Sequence, residues 1–178
     1  MKLALRLTFL IVGIGLCVWL WIYLHPKPEE AIRRRLVKLA KAASFEERQG
    51  NLAAAVGADD FAGFFAREVS LAMEPRAWFP DSLERSEITR IMVRVRTEFD
   101  SLDVKILDPI ITVGADHKSA IVELTINAAT SGDRHLLVQE VKFTMREVDG
   151  EWFIIRIETI RTLNRGPVLP LGESFPAA

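Results

Sequence analysis

Side chains that commonly carry chemistry are few and scattered in this sequence. His25, His117 and His135 share no metal-ligand spacing with one another or with a carboxylate. Each reads most simply as a surface histidine, so no metal site is expected. Cys17 is the single cysteine and lies inside a long apolar run, which leaves the rest of the chain without a disulfide or a thiolate metal site. Leu16 precedes it where lipoprotein processing would require a small residue. Tyr23 is the single tyrosine and closes the same run, so an oxyanion hole built on a tyrosine hydroxyl has no donor farther along. Gly13 and Gly15 also fall in the run and cannot form a phosphate loop. A G-x-S-x-G nucleophile elbow is absent. Asp108 and Gln139 are the polar residues that could turn into a strand-built interior. Asp108 precedes Pro109, so a bulge or strand end is its simpler reading. No cofactor is expected.

Whatever these residues do, the rest of the chain must position them. Residues 1–6 form a short flank carrying Lys2 and Arg6. From Leu7 to Leu24 there is no charge, and Trp19, Trp21 and Tyr23 gather at the far end. As a helix this run would span about 27 Å, close to the thickness of a bilayer core, with its aromatics at the interface. It is followed by Leu24-His25-Pro26-Lys27-Pro28, which offers no small-residue cleavage site, so an uncleaved single-pass anchor is expected. Residues 25–28 are a proline-stiffened linker. Lys27, Arg33, Arg34, Arg35, Lys38 and Lys41 outnumber the two basic residues on the short side, which by the positive-inside rule favours a cytoplasmic domain. Several of them belong to a folded helix, however, and the membrane side stays open. Beyond the span the chain has 21 basic and 24 acidic residues, without the basic excess of a nucleic-acid binder. Arg33-Arg34-Arg35 could meet anionic lipid, although a solvated helix face is the plainer reading.

A single domain is expected over residues 29–163, with an irregular tail at 164–178. Ile32, Leu36, Leu39 and Ala43 fall on one face of a helix that opens with Glu29 and Glu30. Asn51 can cap a short helix to Val56, with Gly57 as an interruption and Asp59 or Asp60 starting another turn that gathers Phe61, Phe64 and Phe65. Val69, Leu71 and Met73 alternate as in a strand. Ser82 or Ser86 starts a further helix with Ile88, Ile91, Met92, Val95 and Phe99 inward and Arg90, Arg94 and Arg96 elsewhere. Four strands then follow, joined by short turns. Leu102, Val104 and Ile106 alternate in a strand that continues past Pro109 to Val113. Ala120 to Ala128 and Leu137 to Met145 alternate in the next two, and the last carries Phe153, Ile155 and Ile157 on its inner face. Asp149-Gly150 is the strongest hairpin signal. Consecutive hairpins predict an antiparallel meander covered by the helices, hence an α+β fold.

This order resembles the nuclear transport factor 2-like superfamily, which includes SnoaL-like polyketide cyclases and ketosteroid isomerases. The resemblance spans about Glu29 to Leu163. Its best marker is the final hairpin, Lys142-Phe143-Thr144-Met145-Arg146-Glu147-Val148-Asp149-Gly150-Glu151-Trp152-Phe153-Ile154-Ile155. It implies a curved antiparallel sheet wrapped on helices into a cone whose mouth can hold a pocket. Phe65, Trp78, Met92, Asp108, Gln139 and Phe143 are the pocket-lining candidates under that resemblance, and no catalytic residue is assigned. The layout of one span followed by such a domain also resembles scaffold subunits of type IV secretion systems. The expected function is a membrane-anchored, non-catalytic binding or assembly module, held in the bilayer by residues 7–24. Its sheet face would meet a second copy or a protein partner. The alternative is a pocket enzyme or carrier for a small apolar molecule, resting on Asp108 or Gln139.

Overall fold

The computed structural model describes residues 27–73, 80–131 and 137–165. The predicted span, Trp78, His135 and residues 166–178 lie outside them. Among the described residues no helix is long and apolar enough to cross a membrane.

Helix α1, Pro28–Ala43, starts with a proline whose missing N–H would be unpaired at that position anyway, and with Glu29 and Glu30 in its first turn. It buries the predicted face, Ile32, Leu36, Leu39 and Ala43. Helix α2, Asn51–Ala62, runs straight through Gly57, and Gly50 rather than Asn51 holds its N-cap position. The predicted interruption at Gly57 is therefore corrected: the missing side chain serves packing. An ideal Cβ at Gly57 would lie 2.7 Å from Nη1 of Arg96. Helix α3, Arg85–Glu98, begins between the two predicted serines, with a capping box in which the Glu84 N–H donates to Oε2 of Glu87 at 2.8 Å. It buries Ile88, Met92 and Arg96, whereas Ile91, expected inside, is exposed.

Six strands form one sheet in the order β2-β1-β6-β5-β4-β3. They are β1 Phe65–Ala72, β2 Ser82–Glu84, β3 Asp103–Val113, β4 Ser119–Ala129, β5 Leu137–Val148 and β6 Glu151–Arg165. The backbone of β6 thus runs two residues into the predicted tail. Strands β3 to β6 are the expected antiparallel meander. The sheet as a whole is mixed, because β1 pairs parallel to β6 and β2 pairs antiparallel to β1. Asp149 and Gly150, with φ of 52° and 83°, make the tight turn between β5 and β6 that the Asp-Gly pair predicts.

Bulges bend the sheet. On β3, Leu107 pairs with Thr125 and Ile110 with Glu123, so Asp108 and Pro109 together oppose Leu124. Asp108 takes φ 49°, a conformation aspartate tolerates better than most residues. Because β3 is an edge strand, the N–H that Pro109 lacks is a modest loss. On β6 the register slips at Ile155, Ile160 and Leu163, each an extra residue against β5. A slip of one residue exchanges the faces of a strand. Trp152 and Ile154 therefore enter the core, while Phe153 and Ile155 are only partly buried; Ile157 packs on the core after the first slip. This corrects the inner face assigned to β6 by simple alternation.

The main core joins Ile32 and Leu36 of α1 to Phe65 and Val69 of β1, Val122 of β4, Phe143 of β5 and Ile154 of β6. A smaller cluster, Ala43, Ala58 and Met92, closes the meeting point of the three helices.

Candidate functional site

Among the described residues the pocket-lining candidates do not converge on one cavity. Phe65 and Phe143 are buried in the main core, and Met92 sits apart in the inter-helix cluster. Gln139 is 5% exposed on the inner face of β5, where its Nε2 donates to Oγ1 of Thr159 at 3.0 Å. Asp108 is exposed in the β3 bulge rather than turned inward, as the bulge reading anticipates. Trp78 lies outside the described residues. Among the described residues the buried polar side chains are Arg96 and Gln139, and no group of three or more His, Cys, Asp and Glu could hold a metal ion.

Sequence reasoning missed Arg96, which it placed away from the core. Its side chain is 4% exposed. Nη1 donates to Oε1 of Gln49 at 2.8 Å, Nη2 donates to the carbonyl of Ala42, and the guanidinium stacks 5.2 Å from the Phe45 ring centroid. The carbonyl of Ala42 is at the C-terminus of α1, where a cation suits both the unpaired acceptor and the helix dipole. Burial pulls the Arg96 guanidinium below its ordinary range, and Asp60 partly offsets this. One side chain thus ties α3 to α1, to the 44–50 connection and, through the gap at Gly57, to α2. The available sequence signal was the glycine in mid-helix.

Two further arginines serve strand and helix ends. Arg35 donates to the carbonyl of Gly63 at 3.0 Å, lies 3.5 Å from Oε2 of Glu151 and covers the Phe64 ring at 4.5 Å. Arg85 donates to the carbonyl of Phe65, and both guanidinium groups flank the ring of Phe153. Their backbone partners are carbonyls that end α2 or begin β1, which marks them as structural ties.

The outer face of the sheet has a different character. Lys142 on β5 lies 2.7 Å from Oε2 of Glu158 on β6, and Arg156 lies 3.0 Å from Oε1 of the same carboxylate. The Lys142 hydrogen bond holds the Glu158 carboxyl below the usual carboxylate range, against the pull of partial burial and with help from Arg156. Next to this network, Leu107, Ile110 and Ile121 stand 41%, 65% and 44% exposed. The pairings Ile110 with Glu123 and Thr112 with Ile121 put these apolar side chains on the same face as Glu123 and Lys142. Exposed aliphatic residues beside a mixed-charge network have the composition of a contact surface.

An open cleft of about 920 Å³ lies at the β3 edge, between Lys41, Ser44 and Glu46 on one side and Asp103, Lys105 and Asn127 on the other. Lys105 pairs with Asp103 at 2.9 Å and the Ser44 hydroxyl accepts from the Val104 N–H at 2.9 Å, while the buried Oδ1 of Asn127 has no hydrogen-bond partner.

No protein-family model and no curated protein matches this sequence. Solved structures do match its fold. A cystatin-like protein of unknown function from Nostoc punctiforme superposes with a TM-score of 0.58 at 14% identity, covering 79% of this chain and 95% of its own. A candidate scytalone dehydratase from Novosphingobium aromaticivorans gives 0.58 at 16% identity, with 82% and 94% covered. A nuclear transport factor 2-like protein with a cystatin-like fold, from the same species, gives 0.57 at 15% identity, with 82% and 87% covered. The chain therefore has the α+β, cystatin-like fold that nuclear transport factor 2-like proteins share. At such identities the likeness concerns fold alone, because function resides in sites carried on it.

Proposed function

We propose that this chain is a membrane-anchored, non-catalytic binding or assembly module that acts through the outer face of its sheet. The observation that carries the reading is the contrast between the two faces. Inward, the elements supply a packed apolar core whose polar member on β5, Gln139, is bonded to Thr159. Outward, Leu107, Ile110 and Ile121 lie exposed beside a network that combines both charge signs. A face that offers both signs can complement a second copy of itself under two-fold symmetry. The 18-residue uncharged run at 7–24 supports the anchor. The pocket reading loses Asp108, which faces solvent, and retains Gln139 alone.

Sedimentation of the full chain in a mild detergent tests the sheet face. The expected result is a dimer at tens of micromolar that Ile121→Glu converts to monomer, since a charge at that position would have to be buried in the contact. A monomer in the unsubstituted chain at that concentration would refute self-association and turn attention to a heterologous partner.

A further inference from the structure

The charge of this protein is distributed unevenly. From Lys27 to Lys41 there are six basic residues and two acidic ones; from residue 42 onward there are 15 basic and 22 acidic. The packing of α1 then turns this asymmetry into a face. Ile32, Leu36, Leu39 and Ala43 are directed at the sheet, and Arg35 is half-buried against Gly63 and Glu151. Lys27, Arg33, Arg34, Lys38 and Lys41 are left exposed, Lys41 at the rim of the cleft beside the β3 edge. Val37 is exposed among them, and the Arg34–Glu30 ion pair uses one acid of the first turn. A helix with a cationic outer face and an apolar residue within it has the composition that lies on anionic bilayer surfaces.

We infer that the outer face of α1 docks on an anionic lipid surface. The inference rests on the anchor reading and adds a second membrane contact to it. Geometry supports it as well as charge. Three residues, His25 to Lys27, separate Leu24, the end of the uncharged run, from Pro28, the start of α1, and the four Cα-to-Cα steps between them reach at most about 14 Å. The first turn of α1 is thus tethered next to the head groups. If α1 stood upright, Lys38 and Lys41 would be carried beyond the roughly 8 Å over which surface charge is felt at physiological salt. If α1 lies flat, all five cations come within that range. The two prolines of the linker suit an abrupt change of direction.

The test uses the full chain in lipid nanodiscs of phosphatidylcholine alone or with about one third phosphatidylglycerol, and reads acetylation of individual lysines by mass spectrometry. On anionic discs Lys38 and Lys41 are expected to react about threefold more slowly or less, while Lys118, exposed in the β3–β4 turn, reacts at the same rate on both. The protection should vanish at high salt and in the Arg33→Gln/Arg34→Gln chain. Equal rates at Lys38 and Lys41 on both discs, with the chain still incorporated, would overturn the docking and leave the anchor intact. Equal slowing at Lys118 would likewise overturn it, as a general surface effect. A chain that fails to stay with either disc would overturn the anchor, and the docking with it. If the substituted chain does not fold, the lipid comparison on the native chain decides.

Discussion

Replacing Gly57 with alanine tests the buried arginine directly. In an ordinary helix interior the change stabilises by roughly 0.5–1 kcal/mol, because alanine loses less conformational freedom on folding. Here the new Cβ would lie 2.7 Å from Nη1 and 2.8 Å from Cζ of Arg96, well inside contact distance. The guanidinium must withdraw, and it has little room, being 4% exposed and tied to Gln49 and Ala42. Loss of one hydrogen bond from a charged group costs about 1.5–3 kcal/mol. The net expectation for Gly57→Ala is therefore a destabilisation of about 1–2 kcal/mol. In an Arg96→Met background the clash is gone, and the same change should stabilise by the full helix increment of roughly 0.5–1 kcal/mol. The coupling between the two positions is then about 2 kcal/mol, well outside the additivity expected of independent sites. Urea denaturation of residues 27–165, followed by circular dichroism, gives the four stabilities of the cycle. Equal stabilisation by Gly57→Ala in both backgrounds would refute the reasoning, since Arg96 would then have slack. Equal destabilisation in both would point to some other obstruction.

Two further predictions concern single groups. Glu158 has its folded-state pKa depressed, so the stability it contributes is present above the unfolded value and lost as pH falls through the folded one. Glu158→Gln should therefore lower stability near neutral pH and flatten its decline in acid below the ordinary glutamate range, which denaturation at a series of pH values reads; an unchanged acid slope would refute the assignment. At Asp108, where φ is 49°, Asp108→Gly should be neutral or stabilising by up to about 1 kcal/mol, whereas Asp108→Val should destabilise by about 1–2 kcal/mol. Thermal unfolding of the two variants checks the order, and Asp108→Val as stable as Asp108→Gly would mean that the left-handed backbone at the bulge is not required.

Much of the architecture was legible because it repeats along the chain. The face of α1 could be counted from Ile32 to Ala43, and the inward residues of β4 and β5 alternate without interruption from Ala120 to Ala128 and from Leu137 to Met145. Regularity is also where the reading failed. β6 slips register three times, and alternation counted across a slip assigns the wrong face, as it did for Phe153 and Ile155. Gly57 looked like a break because its partner, Arg96, lies far along the sequence on another helix. The three residues of β2 are too short to show a period, and the parallel pairing of β1 with β6 joins segments with no local signal for each other. The site fared as the chemistry allowed. Phe65, Met92 and Phe143 are buried as apolar side chains should be, Gln139 was correctly placed inside, and Asp108 obeyed its neighbouring proline.

The parallel pair also sets an order of events when the chain is made. β1 finds its central neighbour only when β6 exists, about 90 residues later, which at 5–20 residues per second is a wait of roughly 5–18 s. During that interval β1 and β2 have each other but no central strand, and the core residue Val69 has no sheet to complete its surroundings. An early nascent chain therefore presents an open strand edge beside apolar side chains, the feature that holding chaperones recognise and that aggregation exploits. Ribosome stalling between β5 and β6 would prolong that exposure, and synonymous codons that slow translation there would be expected to lower the yield of folded protein without altering a single contact in it.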